Sequence, residues 1–313
     1  LADLPRQIRQ GTPYPVRGLC SFGLNINEFP NNGSWAEALH GLDFFVDVDL
    51  FMTRTAQYAD IVLPACSSFE REMLHITPEH RVYYTPPAIA PLGKARPDLD
   101  IICDLARRIV PNDRLLCSGS AYLYDYWLSR MDLSLDILKH ADEPIQLAEE
   151  IYYPGDYTAA GYKTPSGRYE LKSQIMEEAG HSALPEYQEP RDDQERRALP
   201  FVLSVGNRQT FGFHSRTHRI SWIRALQAAP AVEIHPDDAK LLNIAQGDMV
   251  EIVTELGSVQ MLAQLTRGMA RGMVAVLPDY EEADICSILP EDRVDPCSGV
   301  PALRTMSCSI RKA

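Results

Sequence analysis

The pattern of apolar and polar positions changes character along the chain, and the changes set its organisation. Residues 16–22 and 42–48 are apolar, β-branched or aromatic runs that predict strands, and 61–63 predicts a third, stopped by Pro64. Between them, 34–40 predicts a short helix opened by Ser34 as N-cap, and 53–58 predicts a helical turn. This order implies a parallel sheet with helices on its faces. The nearly continuous apolar run through Phe44, Phe45 and Val46 suits a strand covered on both sides. Residues 76–97 contain five prolines and predict an extended loop without regular structure. Asp98, following Pro97, predicts an N-cap for a helix whose apolar face carries Ile102, Leu105, Ala106 and Ile109.

Residues 112–150 read as helical and acidic, with Tyr122, Tyr126, Trp127 and Leu128 as core. Residues 163–171 predict a turn running into a strand. The charged, proline-bearing stretch 185–200 is the expected boundary, dividing an α/β part, 1–198, from a second part, 199–313. Beyond it, 201–205, 249–254, 258–266, 273–277 and a last run from Arg304 predict strands. His235, Pro236 and Asp237 open a helix that ends at Asn243 or Gly247. Short strands at this spacing predict a closed barrel.

Composition narrows the function classes. A chain of 313 residues is long enough for two domains. It has no apolar run able to span a bilayer and no signal-like N-terminus, so direct membrane insertion is not expected. Opening at Leu1 without methionine, the chain reads as a piece of something longer. A net charge of −13, with 43 acidic residues and no basic stripe, argues against nucleic acid as the partner. Seven cysteines (20, 66, 103, 117, 286, 297 and 308) form no CxxC pair, so no zinc or iron–sulfur site is readable. Scattered reduced thiols lean toward the cytoplasm over the periplasm.

Two regions carry candidate chemistry. Ligands of parallel sheets bind beyond the carboxyl ends of the strands. Asn25, Asp49 and the corner at 64–67 fall there. A carboxylate at Asp49 suits a ribose or the donor edge of a purine, although for this residue in isolation an ordinary loop or helix-capping aspartate is the better account. In FVLSVGNRQTFGFHSRT (201–217), the strand breaks at Gly206 and Asn207 and opens into a polar loop with Arg208, His214 and Ser215. Arg208 offers a planar fork for phosphate or carbonyl oxygens, and the glycines allow close backbone approach. Taken alone, the same stretch is also a solvated surface loop.

Several motifs, in order, resemble the molybdopterin oxidoreductase family of dimethyl sulfoxide reductase, formate dehydrogenase and nitrate reductase. They are VDVDLFMTRTAQYADIVLPA (46–65), GKARPDLDII (93–102), KTPSGRYEL (163–171), VGNRQTFGFHSRT (205–217), HPDDAKLLNIAQGDMVEIVTELGSV (235–259) and DPCSGVPALR (295–304). The resemblance implies the C-terminal half of a catalytic subunit: an α/β nucleotide-binding domain followed by a double-psi β-barrel. It implies a molybdenum or tungsten ion held by two molybdopterin guanine dinucleotides, with two-electron or oxygen-atom chemistry on a small-molecule substrate. A non-redox hydratase and a metal-free scaffold are the alternatives it leaves. Asn25, Asp49 and Thr53 would meet the guanosine end of one dinucleotide, with Arg71 and Asp98 around it. Gly206, Asn207, Arg208, His214 and Ser215 match the barrel loop around the pterin and phosphates, and Arg304 a basic position near the second cofactor. The family's metal ligand and 4Fe-4S cysteines lie in an N-terminal half absent from this sequence. That half and an iron–sulfur electron-transfer subunit are the implied partners. Gly206-Asn207 departs from the family's threonine-glycine, and Asn25-Ile26 from asparagine-proline. The asparagine usual before the DP turn falls near Asp284, Cys286 or Ser287, and Cys286 and Cys297 read as structural.

Overall fold

A computed structural model of the chain describes residues 3–147, 161–184, 186–187, 189, 193–206, 212, 217–227, 229–278, 280–295 and 297–313. The chain divides into two compact units, Leu1–Ser67 with Leu92–Asp98 and Arg191–Ala313, and Ser68–Pro91 with Leu99–Pro190.

The first unit opens with helix α1 (Leu4–Gln10), strand β1 (Gly18–Phe22), helix α2 (Asn32–His40), and strands β2 (Phe44–Asp49) and β3 (Ile61–Pro64). The three strands pair in parallel in the order β1-β2-β3. Phe45 packs with Ile26, Trp35 and Leu39 into a buried cluster under α2. The helix starts earlier than expected. Asn31 precedes it in the left-handed region (φ 45°), and Ser34 is buried inside the first turn instead of capping it.

The same unit contains a closed six-stranded barrel, in the order 258–265, 231–234, 273–276, 201–205, 306–312, 249–253. Its interior takes the alternate positions of each strand, among them Leu203, Val232, Ile234, Val250, Ile252, Met261, Val274 and Val276. Each contributes about 1.5–3 kcal/mol of burial. The strand Ala231–Ile234 went unpredicted, being only four residues between Pro230 and His235. The last strand begins at Met306, because Arg304 belongs to the turn before it. Helix Pro236–Leu241 ends at Asn243, whose positive φ of 56° reverses the chain.

One polar node ties the barrel to the loops of the parallel sheet. Asp284 accepts hydrogen bonds from Arg54 Nη1 and Asn32 Nδ2, each at 2.6 Å. Nearby, Asn31 N–H donates to the Cys286 carbonyl at 2.8 Å. Burial works against the Arg54 charge, but Tyr58 and Asp284 together raise its pKa.

The second unit corrects four expectations. Residues 76–97 are not an unstructured loop throughout, since Met73–Ile76 and Arg81–Thr85 form an antiparallel hairpin turned at His80 (φ 58°). Four of the five prolines lie beyond the hairpin and leave its ladder intact. In helix Ser120–Ser129 the core positions are Leu123 and Leu128, while Tyr122 and Trp127 are about half exposed. Helix α3 (Asp98–Ile109) starts on Asp98 itself and buries Ile101, Cys103 and Ala106, leaving Ile102 and Ile109 exposed. Residues 163–171 form the expected turn but no strand.

Asp47, in the middle of β2, is fully buried. Its Oδ1 accepts from Ser21 Oγ at 2.5 Å, and its Oδ2 has no partner among the described residues. Burial raises its pKa to about 6, against the pull of the Ser21 bond and with help from the Asp49 charge. The folded chain therefore keeps this proton over a range in which the unfolded chain has lost it. Stability falls as pH rises from about 4 to about 6 and stays lowered above that, by about 2 kcal/mol with screening included. Asp47→Asn should match the parent near pH 4 and exceed it by that amount near pH 7 in urea unfolding. Asp284→Ala should cost about 2 kcal/mol in the same assay, because it strands Arg54 and Asn32.

Candidate functional site

The carboxyl ends of β1 and β2 are shaped by polar side chains bonded to their own loops. Gly23 (φ 64°) turns the chain out of β1. Asn25 then accepts from Asn27 N–H at 3.2 Å and donates to Glu28 Oε1 at 3.2 Å, fixing the 3₁₀ turn Ile26–Glu28. Ile26 N–H is held by Thr55 Oγ1 at 3.0 Å. Asp49 Oδ1 accepts from Leu50 N–H at 2.6 Å and Phe51 N–H at 3.3 Å, and Thr53 Oγ1 accepts from Ala56 N–H at 3.1 Å. These loops are rigid platforms with polar surfaces.

Asn25 and Thr53, both expected as site residues, meet in a cleft of about 180 Å³. Asn27, His218, Arg219, Arg224, Glu281 and Glu282 complete its lining. Arg219 pairs with Glu281 and Arg224 with Glu282, so both guanidiniums are held in place. Arg224 also lies 4.5 Å over the Tyr280 ring, and His218 packs against the other part of that tyrosine with ring centroids 4.4 Å apart. The sequence reading missed Arg219, Arg224, Glu281 and Glu282. The paired residues lie 62 and 58 positions apart, and no local pattern links them.

Asp98 is placed by a different route. Arg96 N–H donates to the Pro64 carbonyl at 3.0 Å and Cys66 N–H to the Arg96 carbonyl at 2.9 Å, which fastens residues 92–98 to the end of β3. Ala65 N–H donates to the Asp49 carbonyl at 3.0 Å, so the same corner joins β2. Asp98 Oδ1 is buried with no hydrogen-bond partner among the described residues. Gly206 follows its barrel strand at φ 96°, a conformation that only glycine adopts easily, with open space where a Cβ would be. Val205 N–H donates to the Leu303 carbonyl at 2.7 Å, which sets the exposed Arg304 beside the same strand end. Asn207, Arg208, His214 and Ser215 lie outside the described residues. Arg71 belongs to the second unit. Among the described residues no cluster of three His, Cys, Asp or Glu side chains is arranged to hold a metal. None of the seven cysteines forms a disulfide among the described residues. No helix of the described residues is long and apolar enough to cross a membrane.

Known proteins match this chain in two blocks. Residues 17–108 match the family described as Molybdopterin oxidoreductase, and residues 201–307 the Molydopterin dinucleotide binding domain. The chain is 26% identical to acetylene hydratase of Syntrophotalea acetylenica, over 93% of this chain and 43% of that protein. It is 29% identical to the catalytic chain of a putative dimethyl sulfoxide reductase of Halobacterium salinarum, covering 83% of this chain and 32% of the relative. A third relative is the alpha chain of the F420-dependent formate dehydrogenase of Methanocaldococcus jannaschii, 28% identical over 88% of this chain and 40% of its own. The solved structure of acetylene hydratase from Pelobacter acetylenicus shares the fold, with a TM-score of 0.85 at 24% identity over 99% of this chain and 46% of that one. The chain thus spans less than half the length of these relatives. With both domain models matched in order, the chain belongs to the molybdopterin oxidoreductase family and carries its dinucleotide-binding domain.

Proposed function

We propose that this chain is the C-terminal, cofactor-holding part of a catalytic subunit that works at molybdenum or tungsten bound by two molybdopterin guanine dinucleotides. The observation that carries the reading is Asp98 Oδ1, a buried acceptor with nothing among the described residues to accept from, fastened to the carboxyl edge of the parallel sheet. Such an acceptor fits the donor edge of a guanine. Around it, Asn25, Asp49 and Thr53 offer amide, carboxylate and hydroxyl groups for the ribose. Arg208, His214 and Ser215, with the Gly206-Asn207 backbone, take the pterin and phosphates, and Arg304 stands by the second dinucleotide. Arg219 and Arg224, each paired with a glutamate, line the cleft beside Asn25 and Thr53. Arg71 lies in the other unit and is not counted in this set.

When bound, the metal and its pterins supply two-electron or oxygen-atom chemistry. This chain's residues bind and orient the dinucleotides and exclude water from them. The closed barrel is read as a double-psi barrel. In support, it mixes parallel pairs (201–205 with 273–276, 231–234 with 258–265) with antiparallel ones. By fold type the domains in this reading are 1–198 and 199–313, a division that the compact units of the chain cut across. The metal ligand and a 4Fe-4S cluster belong to the remaining half of the subunit, and an iron–sulfur subunit passes the electrons. Relatives named as single chains of larger enzymes, one catalytic and one alpha, support partner subunits. Similarity to acetylene hydratase favours a second reading, non-redox hydration on the same cofactor. A metal-free scaffold fits less well, because it has no use for the buried, unpartnered Oδ1 of Asp98.

In the full-length subunit, Asp98→Ala and Arg208→Ala should each weaken cofactor retention about tenfold, as expected for losing a charged hydrogen bond. Released guanine nucleotide per protein measures it, with melting temperature as the control. Unchanged guanine content in both variants contradicts the assignment.

A further inference from the structure

The second unit contains a cavity of about 450 Å³ that the cofactor reading does not use. Its floor is the hairpin Met73–Ile76 and Arg81–Thr85, where Ile76 stands opposite Val82. Its wall is the helix Ser120–Ser129, which contributes Tyr124, Trp127 and Leu128. Val82 and Leu128 are fully buried and give the cavity an apolar base, while Ile76 is largely exposed at its edge. Trp127 is half exposed and presents an aromatic face at the rim.

Into this apolar lining comes one permanently charged side chain, Arg71. Its Nε is buried and has no hydrogen-bond partner among the described residues. The adjacent carboxylate does not serve it. Glu72 instead accepts from Tyr84 Oη at 3.0 Å and pairs with Lys139 Nζ at 3.8 Å. A buried guanidinium N–H without an acceptor costs free energy that a bound anion would recover. Besides Arg71, only His75 and Tyr124 bring polar atoms to the lining, and volume, mostly apolar walls and a few polar groups are together the usual make-up of a small-molecule pocket.

We infer that this cavity is a second ligand site, for a small monocarboxylate with an apolar or aromatic body. The planar guanidinium fork matches a carboxylate. One unpaired cation balances one negative charge. The Glu72 field, which after burial itself is the largest influence raising the Tyr124 pKa, disfavours a dianion such as a phosphate ester. The site takes a residue that the family resemblance would give to the guanosine end, and the test below separates the two uses of Arg71.

The test titrates benzoate into the 313-residue chain, with benzyl alcohol as the neutral isostere and GMP as the competing use of Arg71. Binding is followed by ligand-observed NMR. Benzoate should bind saturably and about tenfold more tightly than benzyl alcohol, and Arg71→Gln should remove that preference without changing the circular dichroism spectrum. Met131→Trp, which fills the cavity and leaves Arg71 in place, should block both ligands. Absence of saturable benzoate binding overturns the inference, as does benzoate binding that Arg71→Gln leaves unchanged. GMP binding through Arg71 in place of benzoate also overturns it and returns that residue to the nucleotide set.

Discussion

The geometry of the candidate site depends on one partly buried ion pair. Asp284, on a segment that follows the barrel strand 273–276, receives Arg54 from the loop after β2 and Asn32 from the first turn of α2. Only 14% of the Asp284 side chain is exposed, so neither partner can be replaced by water without loss. Removing this contact would loosen the loops that carry Asn25 and Thr53 from the segment that carries Glu281 and Glu282, leaving the backbone bond from Asn31 N–H to the Cys286 carbonyl as a remaining tie. The pair and that bond hold the two walls of the cleft together.

Around that anchor, the protein treats buried carboxylates in two ways. Asp47 is enclosed in the sheet with one serine as partner and keeps its proton up to about pH 6, which is a standing cost to stability at neutral pH. Asp98, partly exposed at the sheet's ligand edge, has its Oδ1 buried with no partner among the described residues. Groups that weaken a fold without improving its packing tend to mark sites of function. Asn25, Asp49 and Thr53 show the complementary device. Their side chains already satisfy backbone N–H groups, so the loops are ordered before any ligand arrives.

Much of this was legible in the sequence. The strands at 18–22, 44–49 and 61–64 followed from apolar runs, and most barrel strands from short alternating ones, because burial on two faces or one leaves those periods directly in the chain. The hairpin of residues 73–85 was hidden by nearby prolines, although its strands contain none. The strand 231–234 is too short to show a period. Trp127 was misread as core because a large aromatic residue on a helix is usually buried, and here Leu123 and Leu128 take that face. The cleft itself was not legible. Arg54 and Asp284 are 230 positions apart, and only folding brings them together. The candidate residues recognised through family motifs include Asn25 and Thr53, which the fold does unite, and Asp98, whose open oxygen no sequence pattern could have shown.

The most direct test of the central claim is the stoichiometry of metal and guanine in the purified full-length subunit, made in a host able to build the cofactor. Elemental analysis for molybdenum and tungsten would be paired with GMP released by acid hydrolysis. The account predicts about two guanine nucleotides per metal atom. Protein that carries neither metal nor guanine would contradict it and leave the fold as a scaffold.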